Sequence, residues 1–569
     1  MTTEYPVHWL EDIIDKILKK DQDRITLATG KTPSGHIHIG ILREIITCDS
    51  IRRVLEKRGK NRIRFFLFLD DFDAAKRFPD YIKKNFQEKH IGKPFFLIPC
   101  PFEDCQCKSY AYHFGSELAS TFKDFGIKTE IIWTHELYKS EEMQKRIKIA
   151  LENTEKIKKI LRKFILPTLD DTKKKDFLEM QKNWMPVMAI CDNCKKIQTQ
   201  KKDGSIVPNR IISYNIEKET VKYKCPECDF EEELSIYSGK LKLNWRVDWP
   251  AKWDIYKTTC EPAGKDHCVK GGSYDTGLEI CQKIFNYEGP IKIPYEWVRL
   301  GERDMKTSKG IVFTPKKYLD IADPEIFRML ILKTDPMKHI SFRIEEIPQY
   351  FNYFKKMKDI YFSHQAPKSE EKKEFFNYLY PLVKIGGIKE DKSKDIPLSY
   401  LIFLSQLQNI LSTKKLYKKA KELMNDPAFE SQITLSKFKN LLDRTKNWID
   451  EIKKLLKEEK DQKIKRNILN NISIFSIPDK VSDDVEKKLN ETQIEGIRIL
   501  RNYLMNSEKL ESDEIQNKIF SIAKEDLQIS AKKFFQVIYQ IIFGKKYGPR
   551  LGPFLELLDK KWLLNRLKI

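Results

Sequence analysis

The sequence predicts an α/β protein: a doubly wound parallel sheet carrying an inserted cysteine knuckle, followed by an all-helical C-terminal region. Three observations carry this expectation. Apolar runs of strand length alternate with helical spacings from Ile25 to Trp133, which implies βαβ units and parallel pairing. Two C-x2-C pairs interrupt the alternation between Cys191 and Cys228. From Pro324 onward strand signals are scarce, and helical patterns with short polar breaks run to the end.

In chain order, residues 1–23 read as an amphipathic helix with Trp9, Ile13, Ile14, Ile17 and Leu18 on one side. Ile25 to Thr29 is an apolar run that ends at Gly30, passes a Pro/Ser/Gly turn and reopens with helical spacing at Ile39. The helix then places Ile41, Leu42, Ile45, Ile46, Val54 and Leu55 at helical intervals and stops at Gly59. Ile63 to Leu69 is a buried strand running into Asp70, Asp71 and Asp73. Phe95 to Ile98 is expected as a third strand, Gly115 to Phe125 as part of a helix, and Glu130 to Trp133 as a fourth strand. Glu136 to Ile165 reads as one long charged helix, and Leu241 to Trp253 as tryptophan-rich strand-like sequence. Tyr274 to Asn286 is a helix, and Glu296 to Leu300 a last strand that delivers a basic loop. The expected divisions are 1–185, 186–240, 241–345 and 346–569.

A chain of 569 residues is long enough for three or four domains with sizeable cores. The formal charge of +22 suits a polyanionic partner, although a lysine-rich composition with merely solvated side chains explains it equally well. No stretch resembles a signal peptide, and no apolar run is long enough to span a bilayer. Eleven cysteines, an odd number and partly in C-x2-C pairs, point to a reducing compartment with metal sites. A cytoplasmic monomer without membrane contact is the expectation.

Ligands of doubly wound sheets sit at strand carboxyl ends, where the strand order reverses. The turn from Gly30 to Gly40 lies there. The first turn of its helix offers free N–H groups and the positive end of the helix dipole to a phosphate. Gly35 and Gly40 let a ligand approach the backbone, while His36 and His38 can donate to phosphate oxygens. Asp304 to Gly310 adds a short basic loop, so a nucleotide site with a histidine wall and a lysine lid is expected. Cys191, Cys194, Cys225 and Cys228 suit a tetrahedral structural zinc with no position open for substrate. Cys100, Cys105, Cys107 and His113 form a second, sulfur-rich candidate quartet.

Thr32-Pro33-Ser34-Gly35-His36-Ile37-His38-Ile39-Gly40 resembles the HIGH signature of class I aminoacyl-tRNA synthetases, and Met305 to Gly310 resembles their KMSKS loop. The segments 245–250, 261–267 and 272–277 are similar to stretches of the class I lysyl-tRNA synthetases. The resemblance implies a Rossmann-like catalytic domain split by the zinc knuckle (186–240) and a helical anticodon-binding region (346–569). It implies a lysine–tRNA ligase that takes L-lysine, Mg-ATP and tRNA(Lys). Lysyl-adenylate forms first, and attachment then proceeds through the 2′-hydroxyl of the terminal adenosine, with activation dependent on tRNA. His36, His38, Gly40, Lys306, Ser308 and Lys309 carry catalysis on this resemblance. Pro33, Gly35, His38, Gly40, Asp266 and Lys309 bind ATP, with Asp266 near the ribose.

For the lysine substrate, a carboxylate and aromatic walls are needed. Gly30, Thr32, Trp245, Glu261, His267, Tyr274 and Asp275 are the candidates, with Glu261 and Asp275 both open as partner of the ε-ammonium. Two positions depart from the family pattern: Ile41 stands where HIGH has its last histidine, and Thr307 where KMSKS has its second lysine. Tyr350, Phe351, Tyr353, Phe354 and Trp448 are aromatics available to a tRNA groove. The rival readings are a tRNA-binding paralogue without catalysis and a class I synthetase for another amino acid.

Overall fold

The computed structural model describes residues 7–201, 204–302, 305, 312–388, 395–472 and 474–569. It divides into two compact units, 1–389 and 390–569.

The first unit is built on a five-stranded sheet, all of whose pairings are parallel. Its strands are β1 (Ile25–Lys31), β2 (Ile63–Leu69), β3 (Glu130–Trp133), β4 (Cys260–Gly264) and β5 (Ile291–Tyr295), in the order β5-β4-β1-β2-β3. β1 pairs with β2 from Ile25↔Ile63 to Lys31↔Leu69, and β4 with β5 up to Gly264↔Tyr295. β2 reads as a continuous apolar run because both faces of a parallel sheet are covered; Phe65 to Leu69 are all buried. Helix α1 (Leu42–Lys57) lies on one face through Ile45, Ile46, Ile51 and Leu55. The order reverses at β1, which opens a crevice between its carboxyl end and that of β4.

Several local expectations are corrected. Phe95–Leu97 is a 3-10 turn rather than a strand. Its backbone N–H groups at Phe95 and Phe96 donate to Asp73 and Asp71, in the loop after β2, so the segment folds back on that loop and joins no sheet. The helix expected at Gly115–Phe125 spans Tyr110–Ala119, and the single helix expected at 136–165 is three: Thr134–Leu137, Glu141–Glu152 and Thr154–Ile165. Ser140 caps the second of these by accepting from Met143 N, and Asn153 ends it. Leu241–Trp253 is strand only at Leu241–Leu243, paired antiparallel with Val187–Ala189. The rest is helix α2 (Trp245–Tyr256), in which Trp245, Trp249 and Trp253 recur every four residues along one side. The fifth strand of the sheet lies just upstream of the expected 296–300; Val298–Leu300 pairs elsewhere, with Ile340–Phe342.

Ile347–Tyr361 and Glu370–Val383, expected with the helical region beyond 345, belong to the first unit. The buried Arg328 guanidinium donates to Leu382 O at 2.8 Å while paired with Asp49, which ties the second of these helices to α1. The second unit is entirely helical among its described residues, around Leu404, Phe438, Leu500, Phe534, Ile538 and Phe554. Trp448 is buried, and so is Tyr350 in the first unit; neither ring is available to a nucleic acid.

Candidate active site

The carboxyl end of β1 runs from Gly30 through Lys31 into a turn and a 3-10 segment, Ile39–Ile41, that feeds α1. His38 caps this segment. Its Nδ1 accepts from the Gly40 N–H at 3.2 Å, so the neutral ring carries its proton on Nε2. Burial, and then the Lys31 charge, hold its pKa down to about 3. A Cβ on Gly40 would stand 2.8 Å from His38 Nδ1, which only a glycine avoids. Gly35 adopts φ +154, and Pro33 is buried. His36 is tied differently: its Nδ1 lies 2.7 Å from Glu117 Oε2, and its ring meets Phe114 edge-on.

The basic loop returns to the same turn. The Ile39 N–H donates to Phe313 O at 2.8 Å, and Met305 Cε lies 3.8 Å from the Cβ position of Gly40. Both described ends of the loop therefore flank His38 and Gly40. Lys306, Ser308 and Lys309 themselves lie outside the described residues.

Across the crevice, β4 ends in Gly264 and a short helix Lys265–Cys268, which leaves Asp266 and His267 exposed. The His267 ring packs edge-on against Trp245 and Trp249, at 5.8 and 5.7 Å between centroids, and its Nδ1 lies 2.9 Å from Ser273 Oγ. Trp245 is 45% exposed at the mouth. Behind them, Glu261 is buried and accepts from Trp249 Nε1 at 2.9 Å and Trp253 Nε1 at 2.6 Å. Burial raises its pKa to about 7 against those two donors. Asp275 is paired with Lys292 at 2.7 Å and accepts from Gly271 N. Tyr274, on helix α3 (Ser273–Ile284), is fully buried, and its hydroxyl donates to the Glu261 carbonyl at 3.1 Å; it supports the pocket from behind.

On the other side, Gly30 faces Asp70, whose carboxylate would lie 3.3 Å from an added Cβ, and Thr32 Oγ1 donates to Asp73 at 2.8 Å. These aspartates are already neutralised. Lys252 pairs with Asp70 and Asp248, and Lys242 with Asp73 at 3.1 Å. Burial still raises Asp70 to about 6.

One group was missed at the level of sequence. Glu44, in the first turn of α1, accepts from the hydroxyls of Thr29 on β1 and Tyr295 on β5, with Lys31 nearby. Burial raises its pKa. Its place in the first turn of the helix that follows the glycine-rich turn was the available signal.

The first unit also holds two sulfur clusters. Cys191, Cys194, Cys225 and Cys228 bring their Sγ atoms within 4.8 Å of one another, and the cross-knuckle pairs 191/228 and 194/225 are each 3.6 Å apart. A tetrahedron of thiolates at the Zn–S distance has edges of about 3.8 Å, so the donor set fits a four-coordinate metal. The two knuckles repeat each other. Lys195 N donates to Cys191 O and Asp229 N to Cys225 O, with both residues left-handed (φ +62 and +57). Cys100, Cys105 and His113 form a second group within 4.8 Å. Cys107, expected as its fourth member, is not among these three.

A switch-point crevice, a glycine-rich turn with a proton-donating imidazole and a basic loop anchored beside it define a nucleotide-binding protein of the doubly wound class. The model of the class I (K) tRNA synthetases matches residues 7–382, and that of an anticodon-binding domain matches 416–569. The chain belongs to the class I (K) tRNA synthetase family. It is 35% identical to the lysine–tRNA ligase of Methanocaldococcus jannaschii, across 99% of this chain and 100% of that one. The lysine–tRNA ligase of Methanococcus maripaludis is 32% identical over 99% and 100% of the two chains, and that of Archaeoglobus fulgidus 31% over 99% of each.

Proposed function

We infer that this chain is a lysine–tRNA ligase. It activates L-lysine with ATP to lysyl-adenylate and transfers the lysyl group to the terminal adenosine of tRNA(Lys). The observation that carries the reading is the convergence of both ends of the basic loop on the His38–Gly40 turn. Lys309 is four residues from each of those anchors, which suits it to meet the β- and γ-phosphates, with Lys306 and Ser308 beside it.

The amino-acid carboxylate attacks the α-phosphorus, and pyrophosphate leaves with its bond electrons. The chain's task is alignment and charge neutralisation. His38 donates Nε2–H to a phosphate oxygen, and the free N–H groups of the turn add to it. Gly264 leaves space beside Asp266, which we assign to the ribose. The lysine backbone lies at Gly30 and Thr32, and its methylenes run between Trp245, Trp249 and His267. Glu261 takes the ε-ammonium; Asp275 is already spent on Lys292. ATP enters with Mg²⁺. Attachment is to the 2′-hydroxyl, and activation waits for bound tRNA, as the family resemblance implies. The cysteine quartet would hold a structural zinc that fixes the inserted knuckle, and Cys100, Cys105 and His113 would hold a second. We assign the enzyme to the cytoplasm as a monomer; among the described residues no helix is long and apolar enough to cross a membrane.

The test is charging of an unfractionated tRNA pool with each labelled amino acid in turn. Lysine alone is expected to be attached. Charging with a different amino acid, or tRNA binding without any lysine-dependent ATP consumption, overturns the reading.

A further inference from the structure

Tyr547 is 69% exposed, the highest value for any large apolar side chain among the described residues. It sits at the tip of the loop 544–550, between helices α4 (Ala531–Phe543) and α5 (Leu551–Leu557) of the second unit. That loop is firmly anchored. Gly544 ends α4 in the left-handed conformation (φ +68), where a side chain would be strained. The Tyr539 hydroxyl donates to Pro549 O at 2.9 Å, and Gly552 N to Gln516 Oε1 at 2.9 Å. Gly548 packs so closely that a Cβ would stand 2.9 Å from the Phe543 ring and 3.0 Å from Tyr539. An aromatic ring is thus held out to solvent by a loop anchored at both of its ends.

The loop's charge selects the partner. Lys545, Lys546 and Arg550 on the same loop are all exposed, and Lys545 Nζ stands over the ring at 6.0 Å from its centroid. Asp513, 3.7 Å from Arg550 and itself solvent-exposed, is the one carboxylate within ion-pair distance among the described residues. A solvent-exposed aromatic ring on a basic loop is the arrangement that stacks an unpaired nucleobase while neutralising its flanking phosphates. The loop also falls within residues 416–569, which match an anticodon-binding domain.

We propose that an unpaired base of the anticodon arm stacks on Tyr547, with Lys545, Lys546 and Arg550 on the adjacent phosphates. This rests on the ligase reading above, and names a contact that reading leaves open. The full-length enzyme is compared with Tyr547→Ala and Tyr547→Phe by equilibrium binding to a lysine tRNA transcript and to an acceptor-stem minihelix lacking the anticodon arm. Stacking of one base predicts that Tyr547→Ala weakens binding of the whole tRNA by about 5- to 100-fold, while Tyr547→Phe stays within about twofold of wild type. Minihelix binding and thermal midpoint stay at wild-type values in both variants. Unchanged tRNA binding by Tyr547→Ala overturns the proposal, and so does an equal loss in Tyr547→Phe or on the minihelix. Failure of the wild-type enzyme to charge any tRNA with lysine counts instead against the ligase reading, so the two failures are told apart.

Discussion

At the scale of single residues, His38 and Glu261 are shifted in opposite directions by the same cause, the loss of water around them. With a pKa near 3, His38 stays neutral across the working range and donates through Nε2 at every pH above about 5. Replacing it by Ala should lower lysine activation about 100-fold, the order for one transition-state donor, without moving the pH profile. Steady-state pyrophosphate exchange checks both. Glu261 titrates near 7. Below that pH it is a neutral acid that cannot pair with an ammonium, and above it a carboxylate that can. The specificity constant for lysine should therefore rise from pH 6 to 8 with a break near 7. Glu261→Gln should flatten that limb and cost about 10- to 100-fold at pH 8, the worth of one hydrogen bond to a charged group. A profile in the variant that still breaks near 7 would place the ammonium elsewhere.

At the scale of elements, the His38–Gly40 turn and the knuckle are each built by local sequence. Because a Cβ at Gly40 would collide with the His38 ring, Gly40→Ala should displace the imidazole. Exchange should drop at least 10-fold, toward the level of His38→Ala, while the thermal midpoint barely moves, since the turn's neighbours in β1 and α1 keep their packing. For the knuckle, the paired thiols predict tightly bound zinc, and elemental analysis should find two atoms per chain. Cys228→Ser should remove one of them and lower the thermal midpoint, because folding of such knuckles is coupled to the metal. A count of one zinc in the wild type would delete the site at Cys100, Cys105 and His113.

Over the whole molecule, segments far apart in the chain meet at the His38–Gly40 turn. Lys309→Ala should cost activation about 100-fold or more, read as exchange in the presence of tRNA. Vigorous exchange with lysine but no RNA would refute the dependence on tRNA. Legibility in the sequence followed the same division by distance. The turn at 30–40, the cysteine quartet and the alternation of strand and helix were readable because each is a pattern within a few dozen residues. Trp245 and Trp249 were placed on a strand, since tryptophan content suggested β structure more strongly than their spacing of four suggested a helix. Tyr274 was expected in the pocket and is instead a fully buried support, because an aromatic side chain says nothing of which way its helix will turn it. Glu44 escaped notice because one of its partners, Tyr295 on β5, is 251 residues away in the chain.

The local order of the chain, by itself, determined the fold class, the glycine-rich turn with its imidazole, and the four thiols of the knuckle, all of which arise between near neighbours. The tertiary structure alone decided which carboxylates are paired: Asp70, Asp248 and Asp275 are matched by the protein's own lysines, while Glu261 is held only by two indoles. Charge pairing depends on distance in space, and that distance exists only once parallel strands from remote parts of the chain lie side by side.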